Sequence, residues 1–174
     1  MKTIDLGQLR LAVLDDGAFP FPMREFFSNV DEAVWRQYAL TDEDGKALVG
    51  HNCALVSSGK ELIVIDTGYG DDTHGGRTGH MLAEFGRTGY RREDVTTVVL
   101  THAHGDHCGR TTIVLEGVRR PAFPNAAYFL GRRDWDWFNG QRGEVHHFAQ
   151  NFQALADAGV LRLVDGEVQL TPEV

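Results

Sequence analysis

Residues 95–107 read VTTVVLTHAHGDH. The first six are rich in β-branched side chains and have the character of a buried strand. The seven that follow hold three histidines, His102, His104 and His107, and the carboxylate of Asp106. A strand that ends in such a cluster presents it at the edge of a sheet, and the combination reads as a metal site. Neutral imidazole and carboxylate are the donor set of zinc and other first-row divalent ions, and packing alone gives no reason to gather so many of them. His102 and His104, two apart on extended chain, can point to one side and share an ion; Asp106 and His107, past the glycine, can face a neighbouring position.

Two ions a few ångströms apart would polarise a carbonyl or phosphoryl oxygen and hold a hydroxide ready at neutral pH. Four side chains do not complete two such positions, since each takes about four ligands. His51, His74 and His80 are available, but none sits at a strand end. The competing reading is a structural or pH-sensitive histidine group.

Working outward, residues 61–65 form a second apolar strand that ends in Asp66-Thr67-Gly68. That tripeptide is either an ordinary turn or a carboxylate placed to orient a ligand histidine. Residues 52–56 pair with this strand across 57–60 as a hairpin. A helix over 78–87 then leads into the strand at 95–100, a β-loop-α-β order that implies an α/β protein. Gly75, Gly76 and Gly79 resemble a phosphate loop, but no Gly-Lys-Ser/Thr follows them.

Upstream, 8–14 alternate as a strand and Asp15-Asp16-Gly17 supplies turn chemistry. Residues 19–27, FPFPMREFF, read as a loop because two prolines forbid a central strand. Its rings either plug the core or form an apolar rim over a substrate pocket. Residues 31–40 have helical spacing. Downstream come a short stretch at 110–115, a strand at 126–130, a helix start at 132–138 and an amphipathic helix over 144–158. His146 and His147 in that helix are surface or packing residues rather than ligands. A hairpin of 160–164 with 167–170 precedes the last residues, 171–174.

The 174 residues fit one globular unit. A net charge of −8 argues against nucleic acid and anionic membrane as partners. Cys53 and Cys108 make no disulfide framework, and Cys108 reads as a packing residue beside His107 rather than a ligand. With no signal-peptide core and no membrane-spanning apolar stretch, the expectation is a soluble cytoplasmic protein.

His102-x-His104-x-Asp106-His107, preceded in order by Ile63-Val64-Ile65-Asp66-Thr67-Gly68, resembles the metallo-β-lactamase superfamily. Leu14-Asp15-Asp16-Gly17, Asn52-Cys53-Ala54-Leu55 and Phe123-Pro124-Asn125-Ala126 extend the resemblance over nearly the whole chain. The branch it looks most like is that of methyl parathion hydrolase and the N-acyl homoserine lactonases. The resemblance implies an α/β fold, the αββα sandwich. Residues 1–174 would be a single incomplete domain, the N-terminal half plus part of the second half.

It also implies a binuclear centre of two divalent metal ions, zinc first, with Mn, Fe or Co as alternatives. His102 and His104 would bind the first ion, Asp106 and His107 the second, and Asp66 would support a ligand histidine. Asp106 would be the catalytic residue that handles a proton. The implied reaction is attack of a metal-held hydroxide on an ester, lactone or phosphotriester of a small-molecule substrate. The family's remaining ligands lie beyond position 174, so the chain is expected to be truncated, weakly stable alone and incomplete in its metal binding. Self-association or a missing C-terminal segment would then complete the fold.

Alternatives are a thioester hydrolase or an iron-dependent persulfide dioxygenase of the same superfamily, and a non-catalytic, partner-binding protein. A flavodiiron protein is disfavoured by His104 where glutamate would stand, and a nuclease by the charge.

Overall fold

The strand expected over 8–14 is part of a longer one. The computed structural model describes residues 2–140 and 146–170. Strand β1 (Lys2–Leu6) turns through Gly7 into β2 (Leu9–Pro22) as an antiparallel hairpin. The expected turn at Asp15-Asp16-Gly17 is instead a bulge, where the register of β2 against β3 (Lys46–Ser57) shifts between Asp15 and Gly17. Nor do the prolines end the strand, because β1 covers β2 only as far as Val13. Ala18 sends its N–H away from β3, to the Arg77 carbonyl at 3.1 Å. Pro20 and Pro22, in the same phase, therefore lack an N–H only on that outer side and cost no ladder bond with β3.

Helices α1 (Met23–Phe26) and α2 (Glu32–Trp35) are single turns. The longer helix expected over 31–40 does not form: Val34 and Tyr38 are exposed and only Trp35 is buried, so no packed face sustains further turns. Strand β4 (Leu62–Ile65) closes the expected hairpin with β3. Helix α3 (Met81–Gly86) follows, then β5 (Thr97–Val99), α4 (Gly105–Cys108) and a separate ribbon of β6 (Thr112–Leu115) and β7 (Val118–Pro121). Strand β8 (Ala127–Gly131), α5 (Arg132–Gly140), α6 (His146–Asp157) and β9 (Leu161–Val164) complete the described residues.

The main sheet has the order β1-β2-β3-β4-β5-β8-β9, parallel from β4 onward. Each parallel step needs a crossover, and α3, α4, α5 and α6 lie in those connections. The expected strand at 167–170 does not form, and among the described residues β9 pairs with β8 alone. Glu144 and Val145 of the expected helix, the side chains of His146, His147 and Phe148, and residues 171–174 lie outside the described residues.

Leu14, Leu55, Val64, Val98, Tyr128 and Leu130 line one face of the sheet and pack with Met81, Phe85, Phe138, Phe152 and Leu155 of the helices. Among the described residues no helix is long and apolar enough to cross a membrane. In the β4/β5 register Ile65 pairs with Val99, so both strands release their chains side by side at their carboxyl ends. Open α/β sheets commonly place their ligands there.

The bulge in β2 turns Asp16 inward, where it is fully buried. Its carboxylate accepts the backbone N–H groups of Tyr69 and Met81, each at 2.8 Å. Gly68, at φ 68°, lies so close to this carboxylate that a Cβ would overlap it. One side chain thus ties the loop after β4 and the start of α3 to β2. Asp16→Ala leaves the buried Met81 N–H and the half-buried Tyr69 N–H without this acceptor, and the expected loss is on the order of 2–4 kcal/mol in urea unfolding. An unchanged midpoint would contradict this account of the loop.

Candidate metal centre

Asp66 leaves β4 in the left-handed region, φ 59°, with its N–H on the Val99 carbonyl at 2.9 Å. A non-glycine residue is held there only by its surroundings. Its buried carboxylate accepts the Thr101 N–H at 2.8 Å on Oδ1 and the Thr101 hydroxyl at 2.8 Å on Oδ2. Oδ2 also lies 2.7 Å from His107 Nδ1. A ring nitrogen beside a carboxylate carries the proton, so His107 presents Nε2 on its other side.

Helix α4 sets the remaining donors. His104 stands just before it, with its carbonyl accepting the N–H groups of His107 and Cys108 at 3.0 and 3.1 Å. The single turn brings His107 back toward His102, their ring centroids 3.9 Å apart, while His102 and His104 are 4.7 Å apart. Asp106 Oδ2 lies 3.3 Å from His107 Nε2. The loop behind is clasped to the motif: Thr67 N–H reaches the His107 carbonyl at 2.7 Å, and Gly109 N–H the Gly68 carbonyl at 2.8 Å.

His107 hydrogen-bonds to Asp106 and to Asp66, which together raise its pKa from 6.5 to about 9 despite burial. Burial alone would push the Asp106 carboxyl up, but the His107 hydrogen bond and charge outweigh it and hold Asp106 low. Desolvation, with the neighbouring His107 and His104, lowers His102. Burial raises the Cys108 thiol, whose Sγ donates to the Ala103 carbonyl at 3.6 Å, so the residue packs inward as expected.

His102, His104, Asp106 and His107 therefore share one end of the sheet with Asp66 behind them. Among the described residues no three such side chains surround one point closely enough to hold an ion. His107 Nε2 and Asp106 are closed on each other there, and His102 Nδ1 lies 3.1 Å from Thr101 Oγ1. The donor chemistry, imidazole and carboxylate, fits divalent metal. In number, four donors are half of what two four-coordinate ions take.

Four further residues bear on the cluster. Thr101 fixes Asp66, and its position between strand and histidines was the signal for it. The carboxylate of Asp134 in α5 lies 3.4 Å from the Ala103 N–H, and Phe138 stands edge-on to His104, with centroids 5.5 Å apart. His51, in β3, brings Nδ1 within 3.8 Å of Asp106 Oδ2; burial lowers its pKa. No local pattern announces Asp134 or His51. His74 stacks on Phe19 instead, and the His80 ring faces the Gly76 carbonyl.

A cavity of about 420 Å³ adjoins the motif, lined among others by Tyr69, His104, Asp106, Arg119 and Asn151. Arg119 is anchored by Thr112 Oγ1 at 2.9 Å. Burial raises the Tyr69 phenol to about 12, so it stays a donor.

The family model of the metallo-beta-lactamase superfamily matches residues 47–160. Comparison with curated proteins gave no match. Among solved structures, hydrolase AbOPH of the beta lactamase superfamily is 23% identical at TM-score 0.78, covering 97% of this chain and 62% of its own. A Staphylococcus aureus protein described as a probable metal-dependent hydrolase is 18% identical at TM-score 0.81, over 97% and 63%. AidC, a dizinc quorum-quenching lactonase in complex with a product, is 25% identical at TM-score 0.71, over 97% and 63%. The chain thus spans less than two thirds of the length of these structures.

The raised His107 value fixes a pH dependence for the metal-free chain. A folded-state pKa above the unfolded one contributes stability in full below about 6.5, and that stability is lost as pH rises through about 9. Urea unfolding in chelator should therefore show lower stability at pH 9.5 than at pH 7, by on the order of 1 kcal/mol or more. His107→Gln should flatten the profile; a wild-type profile already flat over that window would contradict the assignment.

Proposed function

The chain belongs to the metallo-beta-lactamase superfamily, and from that premise we propose that it is a zinc-dependent hydrolase of small lactones or related esters. The observation that carries this reading is the convergence of His102, His104, Asp106 and His107 at the carboxyl ends of β4 and β5, backed by Asp66. In this reading His102 and His104 hold one ion and Asp106 and His107 a second, with further ligands needed to complete both. Bound there, divalent metal supplies Lewis acidity and a water acidified to near-neutral pKa.

The chain's own residues do the rest. Asp66 keeps the His107 proton on Nδ1 and so leaves Nε2 free to bind, while Thr101 keeps Asp66 in place. The Asp106 carboxylate would carry a proton from the attacking water toward the leaving oxygen. The cavity beside His104 and Asp106 has the size of a small-molecule site, with the Tyr69 hydroxyl and Arg119 guanidinium as polar groups to orient a substrate.

The likeness to AidC supports a lactone over a phosphotriester and a binuclear centre over a single ion. The two free, buried cysteines support a cytoplasmic setting.

The test is turnover of N-hexanoyl-homoserine lactone and of a chromogenic ester by zinc-loaded protein, before and after chelation. Activity should vanish with chelator and return with zinc, and His104→Ala and Asp106→Asn should each lower kcat/KM at least about 100-fold. Turnover indifferent to chelator, or none on any lactone or ester once metal is bound, would overturn the reading.

A further inference from the structure

His51 lies outside the motif and outside the ligand scheme above, yet its ring is held as firmly as those of the motif. It shares the face of β3 that carries Cys53 and Leu55, and it pairs with Gly17 just beyond the bulge in β2. Phe19 stacks on it at 5.4 Å and 10° between planes, and His74 in turn stacks on Phe19 at 4.1 Å and 7°. Tyr69 stands perpendicular to His51 with centroids 4.7 Å apart. The plane of the imidazole is therefore set by two contacting rings, Phe19 and Tyr69.

Its two nitrogens differ. Nε2 is buried and has no hydrogen-bond partner among the described residues. Nδ1 lies 3.8 Å from Asp106 Oδ2. In the neutral ring one nitrogen carries the proton and the other a lone pair. Placing the proton on Nε2 would bury an N–H with no acceptor and aim the Nδ1 lone pair at a carboxylate oxygen, two penalties at once. Placing it on Nδ1 leaves only an unpaired acceptor and turns a donor toward Asp106.

We propose that His51 is a positioning residue for Asp106, presenting Nδ1–H to Oδ2 and fixing the direction in which the carboxylate's other oxygen points. The present separation is longer than a hydrogen bond, because Asp106 leans toward His107 at 3.3 Å. With an ion on His107 Nε2 that contact would be lost, and His51 Nδ1 would stand as a side-chain donor beside Oδ2. Closing by about 1 Å gives a charge-assisted bond of ordinary length. The metal part of this inference rests on the proposed function; the tautomer does not.

Two measurements on the 174-residue chain test it. The ring ¹⁵N shifts of His51 in chelator-treated protein should show Nδ1 protonated, and an Nε2–H pattern would overturn the proposal whether or not metal binds. The second is zinc and cobalt affinity by chelator competition. His51→Phe, which keeps the stack and removes the donor, should weaken binding about 10- to 100-fold without lowering the thermal midpoint of the metal-free chain. His51→Asn, which sets an amide N–H near the position of Nδ1 and breaks the stack, should restore affinity to within a few-fold.

A ring needed only for packing predicts the opposite order, Phe harmless and Asn damaging, and that result would overturn the proposal. Should the wild-type chain bind neither ion, the ligand reading fails, while the ¹⁵N pattern still decides the tautomer of His51.

Discussion

The contact between the Asp66 carboxylate and His107 Nδ1, 2.7 Å long, is the constraint on which the rest of the site depends. It keeps a proton on His107 Nδ1, turns Nε2 toward Asp106, and does so from a residue held at φ 59° at the end of a buried strand. That backbone strain persists because the Thr101 N–H and hydroxyl, just beyond β5, hold the same carboxylate. Strand pairing, turn geometry and imidazole chemistry thus meet in one carboxylate. A one-residue slip of β4 against β5 would move Asp66 away from Thr101 and dissolve all three.

Around this contact the fold works as a brace. The loop after β4 is clasped to α4 by two backbone hydrogen bonds and anchored below by Asp16, which reaches the start of α3. From the other side, Asp134 and Phe138 of α5 approach the backbone and ring of the His102–His104 segment. The bulge in β2 serves this end of the molecule twice, by turning Asp16 inward and by setting β3 so that His51 falls beside Asp106. The ligand-type residues come from one short segment, and their environment from β2, β3, the end of β4 and α5.

This division explains what the sequence made legible. The apolar runs read at 61–65 and 95–100 and the motif after them announce themselves, because strand periodicity and ligand spacing are local properties. The Asp66 carboxylate was visible for the same reason, as a strand end. The bulge at Asp15-Asp16-Gly17 was not, since the tripeptide has turn chemistry and only pairing with β3 keeps it extended. Pro20 and Pro22 misled in the same way, because whether a missing N–H matters depends on which side of the strand is covered. The helix expected over 31–40 had the spacing but no surface to pack against. Asp16, whose carboxylate meets Met81 65 residues away, and His51, opposite Asp106, are products of tertiary register that no window of sequence contains.

The account turns on the claim that the motif folds into a divalent-metal site at the end of β4 and β5. Anomalous diffraction from crystals of the zinc-soaked protein, recorded on both sides of the zinc edge, tests it most directly. The account predicts density within bonding distance of His102 Nε2 or His104 Nε2, and of Asp106 and His107 Nε2, with Asp66 still on His107 Nδ1. Zinc found only elsewhere, at the exposed Asp71 and Asp72 or at His74, with His107 Nε2 still closed on Asp106, would contradict it.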